Sequence, residues 1–137
     1  MPVPLILLPP SEGKSSGGDG LPWFKTTQSF PELESARKEV IKALKTAMKA
    51  PVGERSKLLG VGEAKTDEAT KANLSVNAGK TLPAIERYTG VLYDALEYGS
   101  LSSKLKKRVD SQVVIFSGLW GILRPGDHVP DYKLKMG

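Results

Sequence analysis

The chain has 137 residues, 39% of them hydrophobic, which is enough length for one domain with a modest core. Its 20 Lys+Arg against 15 Asp+Glu leave a net charge of +5 and a pI near 9.4, the balance of a protein drawn to polyanions such as nucleic acid. The lack of cysteine excludes disulfides, thiolate metal sites and cysteine nucleophiles, and a single histidine, His128, excludes His-rich metal sites.

Leu5-Ile6-Leu7-Leu8 reads as a buried strand, apolar on both faces. The apolar stretch 3–8 is too short to span a membrane and has no basic lead-in, so a cytoplasmic location away from membranes is expected. Residues 9–22, rich in Pro, Gly and Ser, read as a long loop. Ser29-Phe30-Pro31-Glu32 has the pattern of a capping box with Pro in the first turn. It opens a helix over 31–49 with Leu33, Ala36, Val40, Ile41, Leu44, Ala47 and Met48 on one face and Arg37, Lys38, Lys42, Lys45 and Lys49 largely off it. Pro51 and Gly53 end it. A short helix from Glu54, a break at Gly60-Val61-Gly62 and a helix over 67–75 follow. Residues 83–89 are expected to be extended, 91–96 helical with Gly99 as the stop, and Ser102 or Ser103 to cap a further helix. Val113-Val114-Ile115-Phe116 is the second buried strand. The architecture expected is mixed α/β (α+β): a small sheet containing 5–8 and 113–116, covered by helices, with a helix-hairpin-helix-like element near 54–75, all in a single domain over 1–137.

Both strands break on Gly or Pro and then present a serine and a basic residue: Ser11 and Lys14 after the first, Ser117 and Arg124 after the second. Strand ends that share a rim are where such folds build sites. Ser11, Lys14, Ser117, Arg124 and Tyr132 are therefore the candidate anion contacts of a cleft. Gly13-Lys14-Ser15 does not make a nucleotide-binding P-loop, because Leu8 stands where that motif requires glycine.

Leu58-Leu59-Gly60-Val61-Gly62 resembles the turn of a helix-hairpin-helix, in which glycines let backbone amides approach a DNA phosphate. Lys57 and Lys65 flank it, although Arg55 and Thr66 stand where apolar and small residues are usual; on spacing alone an ordinary helix-helix turn fits slightly better. Lys104, Lys106, Lys107 and Arg108 read either as a solvated helix face or as diffuse phosphate contacts. Tyr88, Tyr93, Trp120 and Tyr132 suit base stacking or half-buried packing. His128, between Asp127 and Asp131, reads as incidental. No carboxylate pair forms an acid–base couple, so no catalytic residue, metal or other cofactor is assigned.

Four strings taken together, Leu7-Leu8-Pro9-Pro10-Ser11-Glu12-Gly13-Lys14, Arg87-Tyr88-Thr89-Gly90-Val91-Leu92-Tyr93-Asp94-Ala95-Leu96, Ser117-Gly118-Leu119-Trp120-Gly121-Ile122-Leu123-Arg124-Pro125 and Val129-Pro130-Asp131-Tyr132-Lys133-Leu134-Lys135-Met136, resemble the YaaA peroxide-stress protein family. The last two are the most specific, and region 15–80 is only loosely similar. The resemblance is to the N-terminal half of proteins roughly twice as long. It implies a compact mixed α/β fold, a positively charged cleft, DNA binding through a helix-hairpin-helix, and protection against hydrogen peroxide linked to limiting free iron; the net charge of +5 with Lys57, Lys65 and the 104–108 cluster adds the expectation that DNA is bound without sequence preference. An enzyme acting on a small phosphate-containing anion in the strand-end cleft is the alternative, and a structural half-domain the third reading.

Overall fold

A computed structural model describes residues 3–135. In chain order its regular elements are β1 (Ile6–Leu8), α1 (Glu34–Ala47), α2 (Val52–Leu59), α3 (Glu63–Leu74), β2 (Thr81–Pro83), α4 (Ala84–Arg87), α5 (Val91–Leu96), α6 (Ser103–Gln112), β3 (Val113–Ser117), β4 (Gly121–Leu123) and β5 (His128–Pro130). The mixed α/β class expected from the sequence is the one observed.

The two apolar strands do share a sheet. It has the order β1-β3-β4, with β1 parallel to β3 (Leu8 opposite Ile115) and β4 antiparallel to it (Ser117 opposite Gly121). Only β3 is central, with Val113, Val114 and Ile115 buried. The expectation that residues 5–8 are buried on both faces fails, because β1 lies at the sheet edge, leaving Leu5, Ile6 and Leu7 at 60%, 44% and 55% exposure. An apolar run looks the same in sequence whether or not a neighbour covers it. A second, two-stranded sheet pairs β2 with β5, and Gly20 bridges to Thr81 at its margin. A Cβ on Gly20 would collide with Thr81 and His128, so only glycine permits this approach.

The apolar face of α1 packs as its spacing implies, burying Ile41 and Leu44, with Met48 just beyond its end, against a core centred on Trp120 and Trp23, whose rings meet edge to face at 5.1 Å. Its start departs from the expected capping box. Residues Pro31–Leu33 form a 3-10 turn with no side-chain cap, because the Ser29 hydroxyl and amide donate instead to Asp127 Oδ1, at 2.8 and 3.0 Å. Arg37, expected off the apolar face, is buried. Its guanidinium donates to the carbonyls of Trp120 and Ile122, both at 2.8 Å, and of Ser29 at 3.2 Å.

The stretch 83–89 is not uniformly extended: β2 turns into the single-turn α4. Arg87, fully buried, is the reason the turn holds, since it donates to the carbonyls of Ser15, Lys80 and Val129 and so ties the early loop to β5. Glu97, at φ 46°, ends α5 ahead of Gly99. Ser102 caps α6 as expected, its hydroxyl accepting the Leu105 amide.

Candidate nucleic-acid interface and mixed-charge cleft

α2 and α3 pack closely against each other, joined by Gly60-Val61-Gly62. Gly60 adopts the left-handed conformation (φ 67°) that lets α2 stop and the chain reverse. The amides of Gly60 and Val61 both turn inward to the Ser56 carbonyl, and Val61 packs against the core. The groups left for an external acceptor are the amides that open α3, beginning at Gly62. Gly62 has ordinary extended geometry and open space where a side chain would stand. The two residues that fit the pattern poorly are partners in one network. Arg55 donates to the Ala50 carbonyl (2.8 Å) and to Thr70 Oγ1 (2.7 Å), while fully buried Thr66 bonds back to the Gly62 carbonyl (3.0 Å). Lys57 and Lys65 are exposed on either side of the turn, and the Lys135 side chain lies against Gly60.

The cleft lies at the C-terminal rim shared by β1 and β3. Ser117 Oγ accepts the amides of Leu119 and Trp120 at 3.2 and 3.0 Å and meets the Tyr132 hydroxyl at 3.0 Å, so it braces the β3–β4 turn. Tyr132 OH is in turn 2.5 Å from Tyr88 OH. Burial raises the pKa of both phenols, Tyr132 most. Ser11 accepts the Thr89 amide at 3.0 Å and donates to the Gly13 carbonyl, which shapes the loop that carries Lys14. Lys14 Nζ sits 4.3 Å from the centre of the Tyr132 ring and donates to the carbonyls of Ser11 (3.2 Å) and Glu12 (3.3 Å). Desolvation, then the charge of Lys133, lowers its pKa to about 8 against the pull of Asp131 and Glu12.

Asn73 of α3 clasps the main chain of Lys133 with both ends of its amide, at 2.7 and 2.9 Å, and so seats the 131–133 segment beside the hairpin. Val61, Lys65, Glu68, Lys14, Asp131 and Lys133 therefore border one opening of about 310 Å³. Its rim mixes three lysines with the carboxylates of Glu12, Glu68 and Asp131, so the cleft itself is not uniformly positive.

Of the sequence candidates, Lys14 and Tyr132 line this opening and Lys65 joins them from the hairpin, whereas Ser11 and Ser117, expected as anion contacts, lie behind it with their hydroxyls committed to the main chain around Thr89 and Trp120. Arg124 does not line it either. β4 runs back along β3, so Arg124 ends beside the other end of that strand, donating to the Ser111 and Val113 carbonyls. Lys104, Lys106, Lys107 and Arg108 lie on α6, with Lys106 Nζ 5.3 Å from the Tyr98 ring centre and Arg108 bordering an apolar groove beside β1. Lys133 and Asp131 belong to the cleft but have no local motif; the Tyr-Lys-Leu-Lys string was the only signal. Its Met136 lies outside the described residues. Asp127, beside His128, is committed to Ser29 and to the Arg124 amide.

Residues 5–137 match the family model described as "Peroxide stress protein YaaA". The chain belongs to the YaaA peroxide stress protein family. Within the YaaA family's wider circle it is 41% identical over 133 residues to a UPF0246 protein of Streptomyces coelicolor and 42% identical over 136 residues to one of Corynebacterium efficiens. Each alignment takes in 97% of this chain but 51% of the relative. An uncharacterized protein of Campylobacter jejuni is 32% identical over 133 residues, 96% of this chain and 53% of its own length. The chain thus spans about half the length of the curated relatives it matches. Among the described residues, no helix is long and apolar enough to cross a membrane, and no group of three or more His, Cys, Asp or Glu is placed to hold a metal ion.

Proposed function

We propose that this chain is a DNA-contacting part of a cytoplasmic peroxide-defence protein, engaging duplex DNA without sequence preference and contributing to the limitation of free iron. The observation that carries the DNA reading is the α2–α3 turn: a left-handed Gly60, an unobstructed Gly62 at the start of α3, and Lys57, Lys65 and Lys135 around it. Backbone amides at a helix start favour a phosphate through both hydrogen bonds and the helix dipole. The net charge of +5 adds long-range attraction that salt screens.

Fluorescence anisotropy with a labelled duplex tests this. The parent chain binds at low salt, with affinity falling steeply as salt rises. Gly62→Leu leaves the fold intact, since its backbone is ordinary and its surroundings empty, but blocks the phosphate and makes the salt slope shallower by about one unit. If Gly62→Leu binds as the parent does while a Lys106→Gln, Lys107→Gln double variant loses binding, the turn is a connector and the attraction is diffuse charge on α6.

A second reading has support of its own. The cleft is of a size for a small phosphate-bearing molecule, and it holds a lysine far more easily deprotonated than a surface one.

A further inference from the structure

We propose that Lys14 is a nucleophilic amine that forms an imine with a phosphorylated aldehyde bound in the cleft between the 11–14 loop, α3 and the 131–133 segment. The inference deepens the DNA reading and rests on it for one of two substrates. An abasic deoxyribose in DNA and a free sugar phosphate share the same recognisable chemistry, an aldehyde a few bonds from a phosphate.

Position is the first support. Lys14 is pinned by the Ser11 and Glu12 carbonyls and by the Tyr132 ring, and Tyr132 is itself held by Tyr88 and Ser117. The amine is thus fixed beside an opening rather than swinging on a solvated stem. The second support is composition of the rim: Lys65 and Lys133 put cations on the border of the opening that suit a phosphate, and Asp131 and Glu12 put carboxylates there close enough for their charge to be felt at Lys14. The third is the proton affinity of Lys14. With a pKa of about 8, roughly a tenth of the amine is neutral at pH 7, against about one part in three thousand for an ordinary lysine. Desolvation and a neighbouring cation are the two devices that make lysines nucleophilic at neutral pH.

The step balances without any other reagent. The neutral amine nitrogen attacks the aldehyde carbon to give a carbinolamine. Its C–O bond then breaks, and the oxygen leaves as water with the two protons that the nitrogen gives up. Protonation of the imine restores the positive charge, which the two carbonyls and the Tyr132 ring hold as they held the ammonium.

The test uses the chain as it exists, with borohydride present to reduce any imine to a stable amine. Two probes are compared, a duplex carrying one abasic site and free 2-deoxyribose 5-phosphate, and the modified lysine is located by peptide mass mapping. The expected result is borohydride-dependent labelling of Lys14 at least tenfold faster than of exposed Lys42, with a rate that rises through about pH 8 rather than above pH 10. The charged groups facing Lys14 are Lys133, Asp131, Glu12 and Arg87, with Lys65 and Glu68 across the opening. Lys133→Gln removes a cation that depresses the Lys14 pKa, so it shifts the rate profile to higher pH and weakens competition by inorganic phosphate. Lys14→Arg keeps the charge and abolishes the label. Labelling by the duplex alone assigns the substrate to DNA, and labelling by the free sugar alone assigns it to a small molecule. Labelling scattered over surface lysines, or absent from Lys14 with both probes, overturns the imine even where anisotropy shows duplex binding. Labelling by the sugar without duplex binding keeps the imine and overturns the DNA reading.

Discussion

Replacing Arg37 with methionine is expected to cost far more than the same change at the lysines around it on α1, although the sequence places this residue among surface lysines. The side chain is 2% exposed, and its guanidinium joins α1 to the carbonyls of Trp120 and Ile122 on either side of the start of β4, and to the segment before α1. Methionine keeps the bulk but removes the donors and leaves the Trp120 and Ile122 carbonyls without their charged partner. Hydrogen bonds to a charged group contribute about 1.5–3 kcal/mol each, and part of that is offset because the guanidinium no longer has to be desolvated. A net loss of about 3 kcal/mol follows, which for a chain of 137 residues lowers the melting temperature by roughly 10 °C. Thermal melts by circular dichroism read this directly, with Lys38→Met as the control. Lys38 is exposed and makes only a 3.2 Å i,i+4 pair with Glu34, so its loss costs about 0.5 kcal/mol or less. Should the two variants melt within about 3 °C of each other, the idea that Arg37 braces the turn is wrong.

Two more outcomes are expected. Tyr88, Tyr93, Tyr98 and Tyr132 all have raised pKa values, chiefly through burial, so the folded chain holds phenolic protons that the unfolded chain releases near pH 10. Their contribution is therefore complete below about pH 10 and fades as pH rises beyond it; phenolate absorbance appearing well before unfolding would contradict this. Leu7, exposed on the open edge strand, is a site for unwanted pairing, so Leu7→Lys is expected to reduce concentration-dependent light scattering without lowering the melting point.

What was legible in the sequence was what local chemistry decides. The apolar period of α1, the Ser102 cap and the strand-then-break pattern at 5–14 and 113–121 are short-range signals, and each led to the right element. Parallel pairing of β1 with β3 also puts the loops that carry Ser11 and Ser117 on one rim, as the shared strand-then-break pattern implied, while Tyr132 arrives there from beyond β5 of the other sheet. The rest depended on partners far along the chain. Ser29 has a capping pattern, but Asp127 takes its hydroxyl. Arg37 and Arg87 look like surface cations until the carbonyls that receive them are known. Arg124 is near Ser117 in sequence, yet a tight hairpin sends it to the opposite end of the strand. Lys133 reaches the cleft through an Asn73 side chain sixty positions away, a contact with no local signature.

The pairing of β1 with β3 also sets a schedule for synthesis. Ile6 meets Val113, about a hundred positions later, and Tyr132 must follow before Lys14 has its ring to rest on. At roughly 5–20 residues per second, a ribosome leaves Leu5–Leu8 without its partner for about 5–20 s. Throughout that interval the apolar, strand-forming segment has no β3 to pair with, which makes it a natural handhold for a holding chaperone. The cleft closes only after the hairpin is made, so a nascent chain that stops short of Tyr132 carries the hairpin but not the pinned amine.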